Sequence, residues 1–130
     1  MRRAFLASVA VAVAAVVLAA CGGGGSKATV TNCAPSGPKL DVSAQNFQFD
    51  TTCLAAPANR PFTITLHKDD AGQLHNVAIY TDSSVTTPLF QGKLIQGVGT
   101  GTYDVKALTP GRYFFRCDVH PQMNGTFNVK

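Results

Sequence analysis

Near its C-terminus the chain reads CDVHPQM, residues 117–123. A cysteine, a histidine and a methionine sit at spacings of three and three, within reach of one tight loop. A thiolate is a soft donor, an imidazole is borderline, and a thioether is soft and weak. Zinc more often takes Cys₄, Cys₂His₂ or a carboxylate and seldom takes methionine, so this donor set does not suit it. With a second imidazole, Cys117, His120 and Met123 make a trigonal His₂Cys set with a weak axial Met, the donor set of type 1 copper. His75 is the candidate for that imidazole. Four protein ligands leave no position open for a substrate, so hydrolysis and oxygen chemistry are not expected. The loop has no second cysteine for a dinuclear copper centre, and three histidines in all are too few for a trinuclear one. Each residue also has a plainer reading: a core histidine at 75, a loop histidine at 120, a packing methionine at 123.

The elements that must position these side chains read as strands. Leu40, Val42 and Ala44 alternate with polar residues, and so do Phe47 and Phe49. The same period of two recurs at Phe62, Ile64 and Leu66, at Tyr103, Val105 and Ala107, and at Phe127 and Val129. Such alternation over short runs marks half-buried strands. Ala58-Asn59-Arg60-Pro61, Asp69-Asp70-Ala71-Gly72 and Thr109-Pro110-Gly111 punctuate them as turns. Six to eight strands of this kind predict an all-β, antiparallel Greek-key sandwich. His75 shares its parity with Val77 and Ile79, and Cys117 with Tyr113 and Phe115, so both donors are expected to face inward at strand ends. His67 has the opposite parity from Ile64 and Leu66 and is not expected to ligate. Residues 82–101 fit least well: a short edge strand near Leu89–Ile95 or a loop with one helical turn, with Gly97, Gly99 and Gly101 arguing against a regular interior strand.

The N-terminus bears on the compartment. Arg2 and Arg3 precede an apolar run from Ala4 to Ala20, 17 residues long. That is the pattern of an export signal, and the run falls short of the roughly 20 residues a membrane span needs. Leu18-Ala19-Ala20-Cys21 resembles the lipobox of bacterial lipoproteins, which implies cleavage after residue 20, lipid on Cys21 and an extracytoplasmic, membrane-anchored location. Loss of the signal lowers the net charge from +4 to +2. This small charge, with no basic cluster, argues against nucleic acid as a partner. The expected organisation is a signal over 1–20, the lipidated cysteine and a glycine-rich tether over 21–37, and one domain over 38–130. In an oxidising compartment Cys33 and Cys53 are candidates for a disulfide, which leaves Cys117 as the spare thiol. Parity alone leaves other pairings open, and a merely structural Cys117.

The segment YFFRCDVHPQMNGTFNV resembles the C-terminal ligand hairpin of the cupredoxins, and HNVAIY resembles their upstream ligand strand. The short C-x₂-H-x₂-M loop is similar to that of amicyanin. The resemblance implies one copper ion held by His75, Cys117 and His120 with Met123 axial, and a one-electron carrier rather than an enzyme. It implies that Asn76 ties the two ligand loops together and directs its backbone N–H at the thiolate. Val119, where amicyanin has proline, offers a second N–H to that sulfur, which would raise the potential. Electrons are expected to pass through His120, with Pro121 and Leu74 as an apolar collar, to a transient redox partner such as a cytochrome or a membrane oxidase or reductase. A monomer is expected. The alternative function is copper delivery or buffering, against which stands the lack of Met-rich or His-rich tracts.

Overall fold

The computed structural model describes residues 33–130. The export signal, Cys21 and most of the tether expected from the sequence lie outside the described residues. Among the described residues there is no helix. The strands run, in chain order, β1 (Lys39–Gln45), β2 (Gln48–Phe49), β3 (Cys53–Ala56), β4 (Phe62–Lys68), β5 (Leu74–His75), β6 (Ala78–Tyr80), β7 (Pro88–Gln91), β8 (Ile95–Gln96), β9 (Gly99–Val105), β10 (Gly111–Arg116) and β11 (Asn124–Val129). They form a four-stranded sheet in the order β2-β1-β4-β9, a five-stranded sheet β3-β11-β10-β6-β7, and a small pair β5-β8.

The alternation in the sequence sets which side chains the sheets bury. Leu40, Val42 and Ala44 of β1 and Phe62, Ile64 and Leu66 of β4 meet Ile79, Phe115, Phe127 and Val129 from the other sheet in one core. Phe62 and Phe127 stack across the sheets with centroids 5.6 Å apart, and Phe49 meets Phe115 at 5.5 Å. Each such ring, fully buried, contributes about 1.5–3 kcal/mol relative to exposure. Cys33 is bonded to Cys53, the first residue of β3. Residues 33–38, most of them assigned to the tether by composition, are thus stapled to the second sheet before β1 begins.

Two expectations are corrected. The sandwich is not purely antiparallel: β1 pairs β4 in parallel, Lys39 opposite Thr63, and β3 pairs β11 in parallel, Thr126 opposite Cys53. The chain leaves β1 through β2, crosses to the other sheet as β3 and only then returns as β4, a crossover that lets β4 run alongside β1 in the same direction. Gly99 and Gly101 do fall in an edge strand and not an interior one: they lie in β9, at the edge of its sheet, opposite Lys68 and Leu66. A methyl on Gly101 would collide with the Ile95 side chain, so glycine here admits the close approach of the β5-β8 pair rather than breaking the strand. Phe47 is not a strand residue. It and Asn46 form the two-residue turn of the β1-β2 hairpin, with φ of 58° and 51°.

Candidate metal centre

His75 ends β5, and Cys117 follows the last residue of β10. Both side chains are fully buried, and Met123 is 1% exposed. His120 lies half-buried in the loop between β10 and β11. Two backbone bonds close that loop: Cys117 N–H donates to Met123 O, and Met123 N–H donates to His120 O, each at 2.9 Å. The spacing of three and three is thereby folded into a single compact turn.

Three donor atoms converge. His75 Nδ1 and His120 Nδ1 are 3.1 Å apart, and each lies 3.8 Å from Cys117 Sγ. A point equidistant from the corners of that triangle is about 2.1 Å from each atom, close to the metal–nitrogen and metal–sulfur lengths of tight first-row sites. His75 Nε2 lies 2.9 Å from Asp70 Oδ2. An ionised carboxylate only accepts, so Nε2 carries the proton and, in the neutral ring, Nδ1 presents a bare lone pair. With no metal, that lone pair accepts a hydrogen bond from His120 Nδ1–H at 3.1 Å, and a metal ion at the centre of the triangle would take the place of the shared proton. Burial, then the neighbouring His75, push His120 below the usual imidazole range, against a smaller upward pull from Asp70. A neutral ring is the form that ligates.

The two ligand segments are tied by side chains. Asn76 is buried; its Nδ2 donates to Gly92 O at 2.8 Å and to Asp118 Oδ2 at 2.9 Å, and its Oδ1 accepts the Asp118 N–H at 2.8 Å. Asp118 also accepts from the Tyr80 hydroxyl at 2.6 Å. Burial, then this bond, raise the Tyr80 phenol above its ordinary value. The guanidinium of Arg116 lies over the Tyr80 ring at 5.8 Å and donates to Asp118 O at 3.0 Å. One side-chain network therefore links the residue after His75 to the residue after Cys117, which sit 42 positions apart.

The structure brings together His75, Cys117 and His120 and buries Met123 in the same loop. It does not supply the backbone N–H bonds expected at the sulfur. Among the described residues the partners of Cys117 Sγ are the two imidazole nitrogens, and neither Asn76 nor Val119 donates to it. Asn76 acts through its amide side chain, and Val119 is an exposed side chain beside His120. His67 is outside the site, paired with Asp41 at 3.0 Å on the surface. Two neighbours of the site escape a reading by alternation. One is Asp70 on the β4–β5 loop. The other is Phe47, whose ring meets His120 edge-on at 4.9 Å and His75 at 6.4 Å. The turn residue Asn46 before Phe47 was the available signal, because asparagine tolerates the left-handed region.

A profile for the cupredoxin-like domain matches residues 8–129. The fold is also that of solved blue copper proteins. The dithionite-reduced auracyanin of Roseiflexus castenholzii superposes with a TM-score of 0.64 at 19% identity, over 72% of this chain and 97% of that one. Auracyanin A of Chloroflexus aurantiacus gives 0.63 at 18% identity, over 72% and 99%. An oxidised amicyanin carrying a single proline-to-glycine substitution gives 0.52 at 19% identity, over 71% and 82%. No curated protein sequence matches the chain. The family profile spans nearly the whole sequence, and the all-β sandwich agrees with it: the chain belongs to the cupredoxin-like domain family.

Proposed function

We propose that this domain binds one copper ion through His75, Cys117, His120 and Met123 and carries single electrons outside the cytoplasm, tethered to a membrane by lipid on Cys21. The observation that carries the reading is the triangle of two imidazole nitrogens and one thiol sulfur, with the methionine buried in the same loop. Two relatives in fold support it: auracyanin A is described as a "blue" copper protein, and an amicyanin variant has been solved in a reduced Cu(I) form. Copper bound there supplies the one-electron step by cycling between its +1 and +2 states.

The chain's own residues do the rest. His75, Cys117 and Met123 are sealed in the core, so their positions change little as charge arrives or leaves. The Asn76–Asp118 network holds the two ligand segments at a fixed separation. His120 alone reaches toward the surface, among the exposed side chains of Phe47, Leu74, Val119 and Pro121. An apolar rim of that small size suits a brief contact with a redox protein, a cytochrome or a membrane oxidase or reductase, rather than a permanent interface. Voltammetry of the copper-loaded protein tests the carrier reading. A reversible one-electron wave, lost in Cys117→Ser, is the expected result. Copper that leaves the protein on reduction would instead favour delivery or buffering.

A further inference from the structure

Asp70 uses both carboxylate oxygens on the two sides of the centre. Its Oδ2 accepts the Nε2–H of buried His75 at 2.9 Å, and its Oδ1 accepts the backbone N–H of Asn46 at 2.9 Å. Asn46 is the first residue of the β1-β2 turn, and the next residue is Phe47, whose ring lies edge-on against His120 at 4.9 Å. Asp70 is itself anchored. The ammonium of Lys68, 1% exposed, donates to the Asp70 carbonyl and, at 2.9 Å, to Gly97 O. The Asn46 N–H, then the His75 bond, hold the Asp70 carboxyl below the usual carboxylate range.

The turn needs such a hold. Type I′ hairpins require positive φ at both central residues and favour Asn-Gly. Here the second position is Phe47, at φ 58°, and a bulky residue in the left-handed region is strained. Glycine would form the turn without strain, so the aromatic ring is kept at the expense of backbone comfort. Strained positions of this kind concentrate at functional sites.

We propose that Asp70 is a positioning residue that clamps the centre from two sides, fixing His75 with Nδ1 aimed at Cys117 and His120, and holding the Phe47 ring as a cover on His120. The two histidines are then oriented by one carboxylate, although they reach the site from different segments of the chain. The consequence for copper rests on the function proposed above; the orientation of the rings does not.

The test compares full-length wild type, Asp70→Ala, Asp70→Asn and Phe47→Leu by NMR without metal, and then by competition with a copper chelator. In wild type, nitrogen shifts report His75 as the Nε2–H tautomer, the Asn46 amide exchanges slowly despite its exposed position, and His120 carries a ring-current shift that Phe47→Leu removes. In Asp70→Ala all three signatures are expected to be lost, and copper is expected to bind about 10–100-fold more weakly. Asp70→Asn keeps one acceptor oxygen and turns an NH₂ group, which cannot accept, toward the other donor, so it is expected to lose one side's signatures and keep the other's. It carries the test if Asp70→Ala does not fold. Retention of both the His75 tautomer and the His120 shift in either variant overturns the proposal. Failure of the copper reading shows separately, as wild type that takes up no copper while its NMR signatures stand.

Discussion

Replacing Asn76 by alanine isolates the network that joins the two ligand segments. Asn76 is 2% exposed and makes three hydrogen bonds: to Gly92 O, to the Asp118 carboxylate and from the Asp118 N–H. The two neutral bonds contribute about 0.5–1.5 kcal/mol each and the charge-assisted one about 1.5–3. Alanine also leaves the Gly92 carbonyl and the Asp118 N–H without this partner in a confined site. The summed loss is about 2.5–6 kcal/mol, large beside the roughly 5–15 kcal/mol stability of an ordinary domain. Urea unfolding of metal-free protein with the disulfide intact reads it. With a slope of about 2 kcal/mol per molar, the midpoint is expected to fall by about 2 M. The metal-free state matters, because bound copper would add its own stabilisation. A loss below about 1 kcal/mol, within the range of an ordinary surface substitution, would refute the claim that Asn76 holds the frame.

Three further outcomes follow from the packing. Burial, then the nearby Cys117, raise the Tyr103 phenol to about 12, while an unfolded tyrosine titrates near 10; its contribution to stability is therefore complete below pH 10 and is lost as pH rises toward 12. Alkaline ultraviolet titration of wild type against Tyr103→Phe checks it, and a phenolate that forms near pH 10 in folded wild type and is missing from Tyr103→Phe would contradict it. Phe47→Gly is expected to be more stable than Phe47→Ala by about 1 kcal/mol in thermal unfolding, the reverse of the usual order, because φ at this turn is positive. Gly125→Ala is expected to cost about 1–3 kcal/mol, since its methyl would meet the Thr52 carbonyl and the Phe115 ring; an unchanged denaturation midpoint would show that β3 and β10 yield at no cost.

The candidate ligands were legible because the information about them is local. Cys117, His120 and Met123 occupy one loop, and parity along a strand places His75 and Cys117 inward without knowledge of the topology. Strand direction is another matter. Alternation specifies which face a side chain takes and says nothing about whether β1 and β4 run the same way. β3 escaped because Cys53, Leu54, Ala55 and Ala56 are all buried, so no alternation marks them. Phe47 misled for the opposite reason: its parity with Phe49 mimics a strand, whereas two left-handed residues place it in the turn. Asp70 sits in a run of turn-forming residues, and nothing in its neighbours points to a histidine five positions on. Among the described residues no backbone N–H of Asn76 or Val119 reaches the Cys117 sulfur; the loop N–H groups with acceptors include those of Asp118, on Asn76 Oδ1, and Met123, on His120 O.

Whether His75, Cys117, His120 and Met123 form one type 1 copper centre is tested most directly by spectroscopy. The measurement is the visible and electron spin resonance spectrum of the protein loaded with one equivalent of Cu(II). An intense thiolate-to-copper band with narrow copper hyperfine splitting, abolished by Cys117→Ser, is the predicted result. A pale solution with the broad splitting of ordinary cupric sites, or a spectrum indifferent to Cys117, would contradict it.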